Sequence, residues 1–91
     1  MLVRWTAPAA EDLKRITRYI RKQNPTAARH VATTIFDAAN SLDTFPNRGR
    51  EGRIAGTREF LFPGWPYILV YEVTEDTVEI LRIYHGAQDW P

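Results

Sequence analysis

Residues 67–84 read YILVYEV, TED and TVEILRIY, and this stretch determines the fold of the chain. Two runs of β-branched and aromatic residues, 67–73 and 77–84, are separated by only three residues. Connections this short join antiparallel neighbours. A third run, Thr57 to Phe62, precedes Pro63-Gly64-Trp65-Pro66. The sequence therefore predicts an antiparallel meander of three strands in its second half.

The first half predicts a short strand, Leu2 to Trp5, followed by two helices. Thr6-Ala7-Pro8 opens the first helix, because proline suits a first helical turn in which its missing N–H costs nothing. Asn24-Pro25 ends this helix and caps the second. The second helix is predicted to run to about Phe45, since Pro46 prevents its continuation. Its apolar positions keep helical spacing and comprise Ala28, Val31, Ile35, Phe36, Ala39 and Leu42.

The predicted order is β-α-α-β-β-β, an α+β domain in which a helical hairpin packs on one face of an antiparallel sheet. The other face is left open to a ligand or partner. At 91 residues the chain is expected to form one domain, residues 1–91, around one modest core.

Composition excludes several classes of protein. The chain has no cysteine, which removes disulfide scaffolds, thiolate metal sites and thiol nucleophiles. Its apolar runs are too short to span a bilayer, and its N-terminus lacks the pattern of a signal peptide, so we expect a cytoplasmic protein without membrane association. Carboxylates and histidines do not cluster at ligand spacing, so neither a metal nor another cofactor is expected.

The net charge is only +1, but the charges are unevenly distributed. Residues 11–22 and residues 47–58 each carry an excess of three positive charges, whereas residues 72–89 carry an excess of four negative charges. Clustered cations suit a phosphate backbone or an acidic protein partner. They are equally consistent with a solvated helix face and a basic loop.

Several short motifs occur in a distinctive order. A strand and a two-helix hairpin split by Asn24-Pro25 precede Phe45-Pro46 and the Gly49-Arg50 loop. Three motifs complete the order: Thr57-Arg58-Glu59, Pro66-Tyr67-Ile68-Leu69-Val70-Tyr71, and Val78-Glu79-Ile80-Leu81-Arg82-Ile83 running into Tyr84-His85-Gly86-Ala87-Gln88. Over essentially its whole length the chain resembles the RelE/ParE toxins of type II toxin–antitoxin systems.

The resemblance implies growth inhibition and neutralisation by a cognate antitoxin that wraps the toxin and alone mediates any contact with operator DNA. RelE-like members cleave mRNA in the ribosome, and ParE-like members poison DNA gyrase without a catalytic site of their own. The sequence interpretation prefers ribosome-dependent mRNA cleavage, with gyrase inhibition as the alternative. A third hypothesis is that the chain is a non-toxic interaction module that has lost its activity.

Metal-free RNA cleavage requires an acid, a base and cations around the phosphate. Arg58 and Arg82 are the predicted phosphate ligands, His85 the general acid or base, and Tyr84 an assisting group. Strand alternation puts Arg82 and Tyr84 on one face and His85 on the other, so they converge only if the chain bends near Gly86. His30, within the second helix, is interpreted as a surface residue.

The predicted target-binding residues are Arg48, Arg50 and Arg53 of the basic loop, which would contact phosphates with Arg58, and Trp90, which would stack on bases. Arg58 has the alternative of pairing with Glu59, Glu72 or Glu79 across the sheet. Two differences from RelE-like enzymes weaken the hypothesis that the chain is a ribonuclease. No cation occurs near Tyr67-Ile68, where some RelE-like enzymes carry an arginine, and the lysine-rich character of ribosome-directed members is absent.

Overall fold

A computed structural model describes residues 1–86 of the chain. The elements are β1 (Leu2–Trp5), α1 (Ala7–Arg21), α2 (Pro25–Ser41), β2 (Arg50–Glu51), β3 (Arg58–Leu61), β4 (Tyr67–Val73) and β5 (Thr77–His85). The predicted order of helices and strands is confirmed, with a two-residue strand, β2, added in the basic loop that the sequence left without structure.

Both helices begin as the sequence predicted. Thr6 accepts a hydrogen bond from the Ala9 N–H at 3.3 Å, and Asn24 accepts one from the Ala27 N–H at 3.0 Å. Each cap satisfies a donor that the first turn leaves without an intrahelical partner. The end of α2 differs from the prediction, because the helix stops at Ser41 instead of Phe45. The Leu42 and Thr44 N–H groups donate three residues back, so the chain tightens into turns before Pro46 is reached.

The sheet has the order β1-β5-β4-β3-β2. Its meander β3-β4-β5 is antiparallel, but β1 pairs with β5 in parallel, so the sheet is mixed and not antiparallel throughout as predicted. Short loops specify only the pairing of consecutive strands. The helical hairpin between β1 and the meander is long enough to bring β1 to the free edge of β5 in either direction.

The core lies between the helical hairpin and one face of the sheet. Ile35 and Ala39 of α2 and Leu42, which follows the helix, are fully buried against Leu69 and Tyr71 of β4. Phe36 was predicted to share this stripe, but it is 49% exposed and instead stacks on Trp5. The stripe is therefore narrower than the hydrophobic pattern of the second helix suggested.

The opposite face of the sheet carries a smaller apolar cluster, formed by Ile68 and Val70 with Tyr84 packed against them. No helix of residues 1–86 covers this face. A register shift between Val70 and Tyr71 leaves Leu81 as an extra residue in β5. Beyond this bulge β5 continues to His85 while β1 has already ended opposite Ile80. The edge of β5 from Leu81 onward thus requires other hydrogen-bond partners.

Candidate functional site

Asp12 of α1 accepts a hydrogen bond at this unpaired edge of β5, where Thr6 Oγ1 also donates to the Leu81 carbonyl at 3.1 Å. Asp12 is 1% exposed, and its Oδ2 accepts from the Ile83 N–H at 2.9 Å. Arg82 binds the same carboxylate in bidentate fashion, with Nε to Oδ2 at 2.7 Å and Nη2 to Oδ1 at 3.0 Å. Arg15 adds a third contact, 2.7 Å from Nη2 to Oδ1. We call Asp12, Arg15, Arg82 and the Ile83 N–H the Asp12 cluster.

The Asp12 cluster keeps its carboxylate ionised. Burial by itself raises the pKa of Asp12, but the hydrogen bonds from Arg82, Ile83 and Arg15 outweigh burial and hold the pKa below its ordinary value. The isolated arginine of the last strand therefore has an internal partner. Its side chain is still 40% exposed, so part of the guanidinium remains accessible.

Arg82 and Tyr84 lie together on the sheet face that faces away from the helices. The Arg82 guanidinium carbon lies 4.9 Å from the centre of the Tyr84 ring, a cation–π contact. His85 lies on the other face, where its ring is perpendicular to that of Tyr67 with centroids 5.9 Å apart. The alternation predicted from the sequence is thus present, and the chain does not bend enough to unite these three side chains.

Arg58 is on the same side of the sheet as His85 but far from it. It is opposite Tyr71 on β4, whereas His85 is opposite Tyr67, four residues further along. At roughly 3.3 Å per residue the two positions are about 13 Å apart along the strand. Arg58 donates to the carbonyls of Gly49 at 2.7 Å and Asn47 at 3.5 Å. It supports the loop through backbone carbonyls, not through the carboxylates proposed as its alternative partners.

Glu59 organises the basic loop. Its side chain points to the open face, is 1% exposed, and accepts from Arg50 Nε at 3.2 Å, Arg50 Nη2 at 2.9 Å and the Arg53 backbone N–H at 2.9 Å. Despite burial, which raises it, the pKa of Glu59 is lowered by the Arg53 N–H and by Arg50. We call Glu59, Arg50 and the Arg53 N–H the Glu59 cluster. Arg48 is exposed and lies 4.9 Å over the Phe60 ring.

The residues predicted from the sequence as one catalytic set are therefore distributed over three places. Arg82 and Tyr84 are on the open face, His85 is at the helix-side end of β5, and Arg58 is beside the basic loop. Arg48, Arg50 and Arg53 do share one loop, as predicted. Trp90 lies outside the described residues. The catalytic and target-binding roles of all eight residues stay predictions.

A pocket of about 270 Å³ adjoins His85 and brings together side chains that sequence reasoning did not combine. Arg15, Ile16 and Tyr19 of α1 line it on one side; Tyr67, Ile83 and His85 of the sheet line it on the other. Burial and the nearby Tyr19 raise the pKa of Tyr67. The only sequence signal was the placement of Arg15 and Tyr19 four residues apart on one side of a helix.

Asp12 was missed for a related reason. It lies next to Glu11 in the second turn of a helix with a basic surface, and an aspartate in such a position is typically solvent-exposed. Its contacts with Arg82 and with the Ile83 N–H, about seventy residues away, explain how this carboxylate can be buried.

Two features are absent from residues 1–86 of the chain. No group of three or more histidine, aspartate or glutamate side chains could hold a metal ion in that part of the chain. Within the same residues, no helix has the length and apolar character needed to cross a membrane.

Comparison with known proteins identifies the family. Residues 3–90 match the family model described as the ParE toxin of the type II toxin–antitoxin system parDE. Y4kP of Sinorhizobium fredii is 43% identical over 89 residues, covering 98% of this chain and 92% of that protein. Toxin RelE2 of Caulobacter vibrioides is 37% identical over 84 residues, covering 92% and 93% respectively.

Two solved structures have the same fold. The chromosomal ParDE system from P. aeruginosa superposes with a TM-score of 0.83 at 26% identity, covering 93% of this chain and 95% of that one. The toxin–antitoxin complex RelBE2 from Mycobacterium tuberculosis superposes with a TM-score of 0.66 at 27% identity, covering 92% and 95%. The chain belongs to the RelE/ParE toxin family. It is the toxin of a type II toxin–antitoxin system, and its partner is a cognate antitoxin.

Proposed function

We propose that this toxin acts by binding DNA gyrase and inhibiting it, without chemistry of its own. The observation that carries the proposal is the dispersal of the predicted catalytic set over three places of the fold. A phosphate held by Arg58 could not also reach His85, about 13 Å further along the sheet. General acid–base catalysis requires the catalytic group to lie within hydrogen-bond distance, about 3 Å, of the atom that gives or takes the proton.

The contacts of the arginines support the same proposal. Arg82 is bonded to Asp12 through two nitrogens, and Arg50 is bonded to Glu59 through two nitrogens. Turning either guanidinium to a phosphate would remove from a buried carboxylate the arginine that binds it through two nitrogens, which is costly. Inhibition by binding makes no such demand, because it needs only a complementary surface. The similarity to the ParE family model over residues 3–90 agrees with this choice of target.

The alternative that we keep is ribosome-dependent mRNA cleavage. One observation favours it: His85, a residue suited to proton transfer near neutral pH, lies in a pocket with the cationic Arg15. The similarity to Toxin RelE2 over 92% of this chain is also consistent with it. This version of the enzyme would use Arg15 in place of Arg58, a different set from the one that the sequence suggested.

Two assays on the same purified protein distinguish the targets. We expect the wild-type protein to block supercoiling by purified gyrase and to leave mRNA intact in primer extension from a translating extract. Ile35→Asp is the inactive control, since an unpaired carboxylate at a fully buried position should unfold the domain and abolish inhibition. Circular dichroism verifies that unfolding. Cuts within codons together with unaffected supercoiling would refute gyrase inhibition.

A further inference from the structure

The pocket between α1 and the end of β5 combines groups suited to one kind of ligand. Ile16 and Ile83 contribute apolar lining, and the polar residues that line the pocket are Arg15, Tyr19, Tyr67 and His85. Small-ligand sites typically have this character, an apolar surface with a few convergent polar groups. At about 270 Å³ the pocket suits a ligand of roughly the size of a nucleotide or smaller.

Arg15 is a cation fixed in direction before any ligand arrives. Its Nη2 is bonded to Asp12, a buried residue that Arg82 and the Ile83 N–H also hold in place. A guanidinium has five N–H donors in a planar fork, and the Arg15 side chain is still 56% exposed. Arg15 therefore has N–H donors left for an anionic group in the pocket. Because Asp12 already orders the Arg15 side chain, binding such a group costs less conformational entropy.

The aromatic rings of the pocket provide surfaces for a flat group. The perpendicular arrangement of Tyr67 and His85 presents the face of one ring beside the edge of the other. Tyr19 lines the pocket and is nevertheless 68% exposed, which is unusual for a large aromatic side chain. Aromatic faces of this kind stack on nucleic-acid bases without strong sequence preference.

Positively charged side chains extend along α1 from the same pocket. Arg18 and Lys22 follow Arg15 by three and seven residues, so all three lie on one side of the helix. Two acidic residues lie nearby: Asp12 is buried and bound by Arg15, and Glu11 Oε1 lies 3.7 Å from Lys14 Nζ. The side of α1 that leads to the pocket is thus positive and suited to attracting a polyanion.

We propose that the pocket between α1 and β5 binds a nucleotide, with its phosphate on Arg15 and its base against Tyr19 and His85. The ligand is a free nucleoside monophosphate or one nucleotide unit of a single-stranded nucleic acid. This site is separate from the basic loop, and the proposal does not depend on whether gyrase is the target.

Proton NMR tests it, because the chain contains only two histidines, His85 in the pocket and His30 outside it. Uridine 5′-monophosphate, a single-stranded pentauridylate and inorganic phosphate are titrated separately at fixed pH. We expect at least one of the two nucleotide probes to shift the His85 ring signals saturably and to leave those of His30 unchanged. Binding of the monophosphate alone identifies a free nucleotide as the ligand, and preference for the pentauridylate identifies a strand.

Two matched variants test the assigned phosphate contact. Arg15→Met retains the aliphatic stem and should weaken nucleotide binding about tenfold, because a charge-assisted hydrogen bond is lost. Arg18→Met removes the same charge one turn away and should change affinity by no more than about twofold. Circular dichroism establishes that both variants are folded, and supercoiling inhibition by each is recorded separately.

Three results would overturn the nucleotide site. The first is the absence of a saturable His85 shift with either nucleotide probe. The second is equal binding of inorganic phosphate, which would show that the base contributes nothing. The third is an equal loss of affinity in Arg15→Met and Arg18→Met, which would indicate only general charge attraction along α1.

Discussion

The Asp12 cluster and the Glu59 cluster use the same chemistry at different places in the sheet. Each buries one carboxylate, binds one arginine through two nitrogens and accepts one backbone N–H. The Asp12 cluster joins residues about 70 positions apart, whereas the Glu59 cluster joins residues 6 and 9 apart. The first therefore connects a helix to the sheet, and the second shapes one loop.

This difference in range predicts a difference in what each cluster stabilises. Loss of a contact between distant elements weakens packing that the whole fold shares, whereas loss of a local contact releases a surface segment. Disrupting the Asp12 cluster should therefore lower the global stability of the domain, whereas disrupting the Glu59 cluster should mainly accelerate hydrogen exchange in the basic loop.

The largest effect is expected from Asp12→Asn. The substitution keeps the shape of the side chain but removes the charge that holds Arg82 and Arg15, and it should lower the free energy of unfolding by about 3 kcal/mol. Urea denaturation measures the loss, and amide exchange at Ile83 should accelerate while that at Arg53 does not. Asp37→Asn, at an exposed position of α2, is the control and should change stability by less than about 0.5 kcal/mol.

A smaller and more local effect is expected from Glu59→Gln. The neutral amide still has one acceptor oxygen, so the free energy of unfolding should fall by only about 1 to 2 kcal/mol. Exchange at the Arg53 amide should accelerate, with Ile83 unaffected. Glu51→Gln, on the exposed neighbouring strand, is the matched control. Global destabilisation as large as that of Asp12→Asn would contradict the local role of the Glu59 cluster.

Acid should lower the stability that both carboxylates contribute. The ordinary pKa is 3.8 for Asp12 and 4.5 for Glu59, and in the folded protein the pKa of each lies below that value. The unfolded chain then takes up protons first as the pH falls. Stability contributed by these groups is complete above about pH 4.5 and is lost as the pH falls through the lower folded-state pKa values. Denaturation at pH 6 and about pH 3 measures this loss. Asp12→Asn should show a shallower pH dependence; a slope equal to that of the wild type would exclude Asp12 as a contributor.

The smallest effect concerns the antitoxin, which we expect to contact the loop that Glu59 organises. Arg53→Glu should slow association severalfold at low salt and flatten its salt dependence, because exposed charges steer encounter. Arg50 is left intact in this test, because its guanidinium donates two hydrogen bonds to the buried Glu59 carboxylate, whereas Arg53 donates to Glu59 from its backbone N–H, which the substitution retains. Lys22→Glu, on the exposed surface of α1, is the control. Stopped-flow kinetics that are identical for wild type and Arg53→Glu would exclude the loop from the interface.

Much of the fold was predictable because its signals are local. Thr6-Ala7-Pro8 and Asn24-Pro25 start helices through caps and proline geometry that involve only a few neighbouring residues. The bounds of β4 agree with the predicted run 67–73, because the turn residues Pro63-Gly64-Trp65-Pro66 and Thr74-Glu75-Asp76 limit the run on both sides. The end of α2 and the exposure of Phe36 were wrong because they depend on which surfaces the helix meets.

The candidate site was predictable only in part. The sequence determined that Arg82 and Tyr84 share one face of the last strand and that His85, which follows the predicted strand, takes the other face. It also determined that the cations of residues 48–53 share one loop. Only the tertiary structure decided that Asp12 binds Arg82 and that Arg15 lies in the same pocket as His85. These arrangements join α1 to β5 across about 70 residues. Periodicity specifies which face a side chain takes, whereas the partner on that face depends on how distant elements pack.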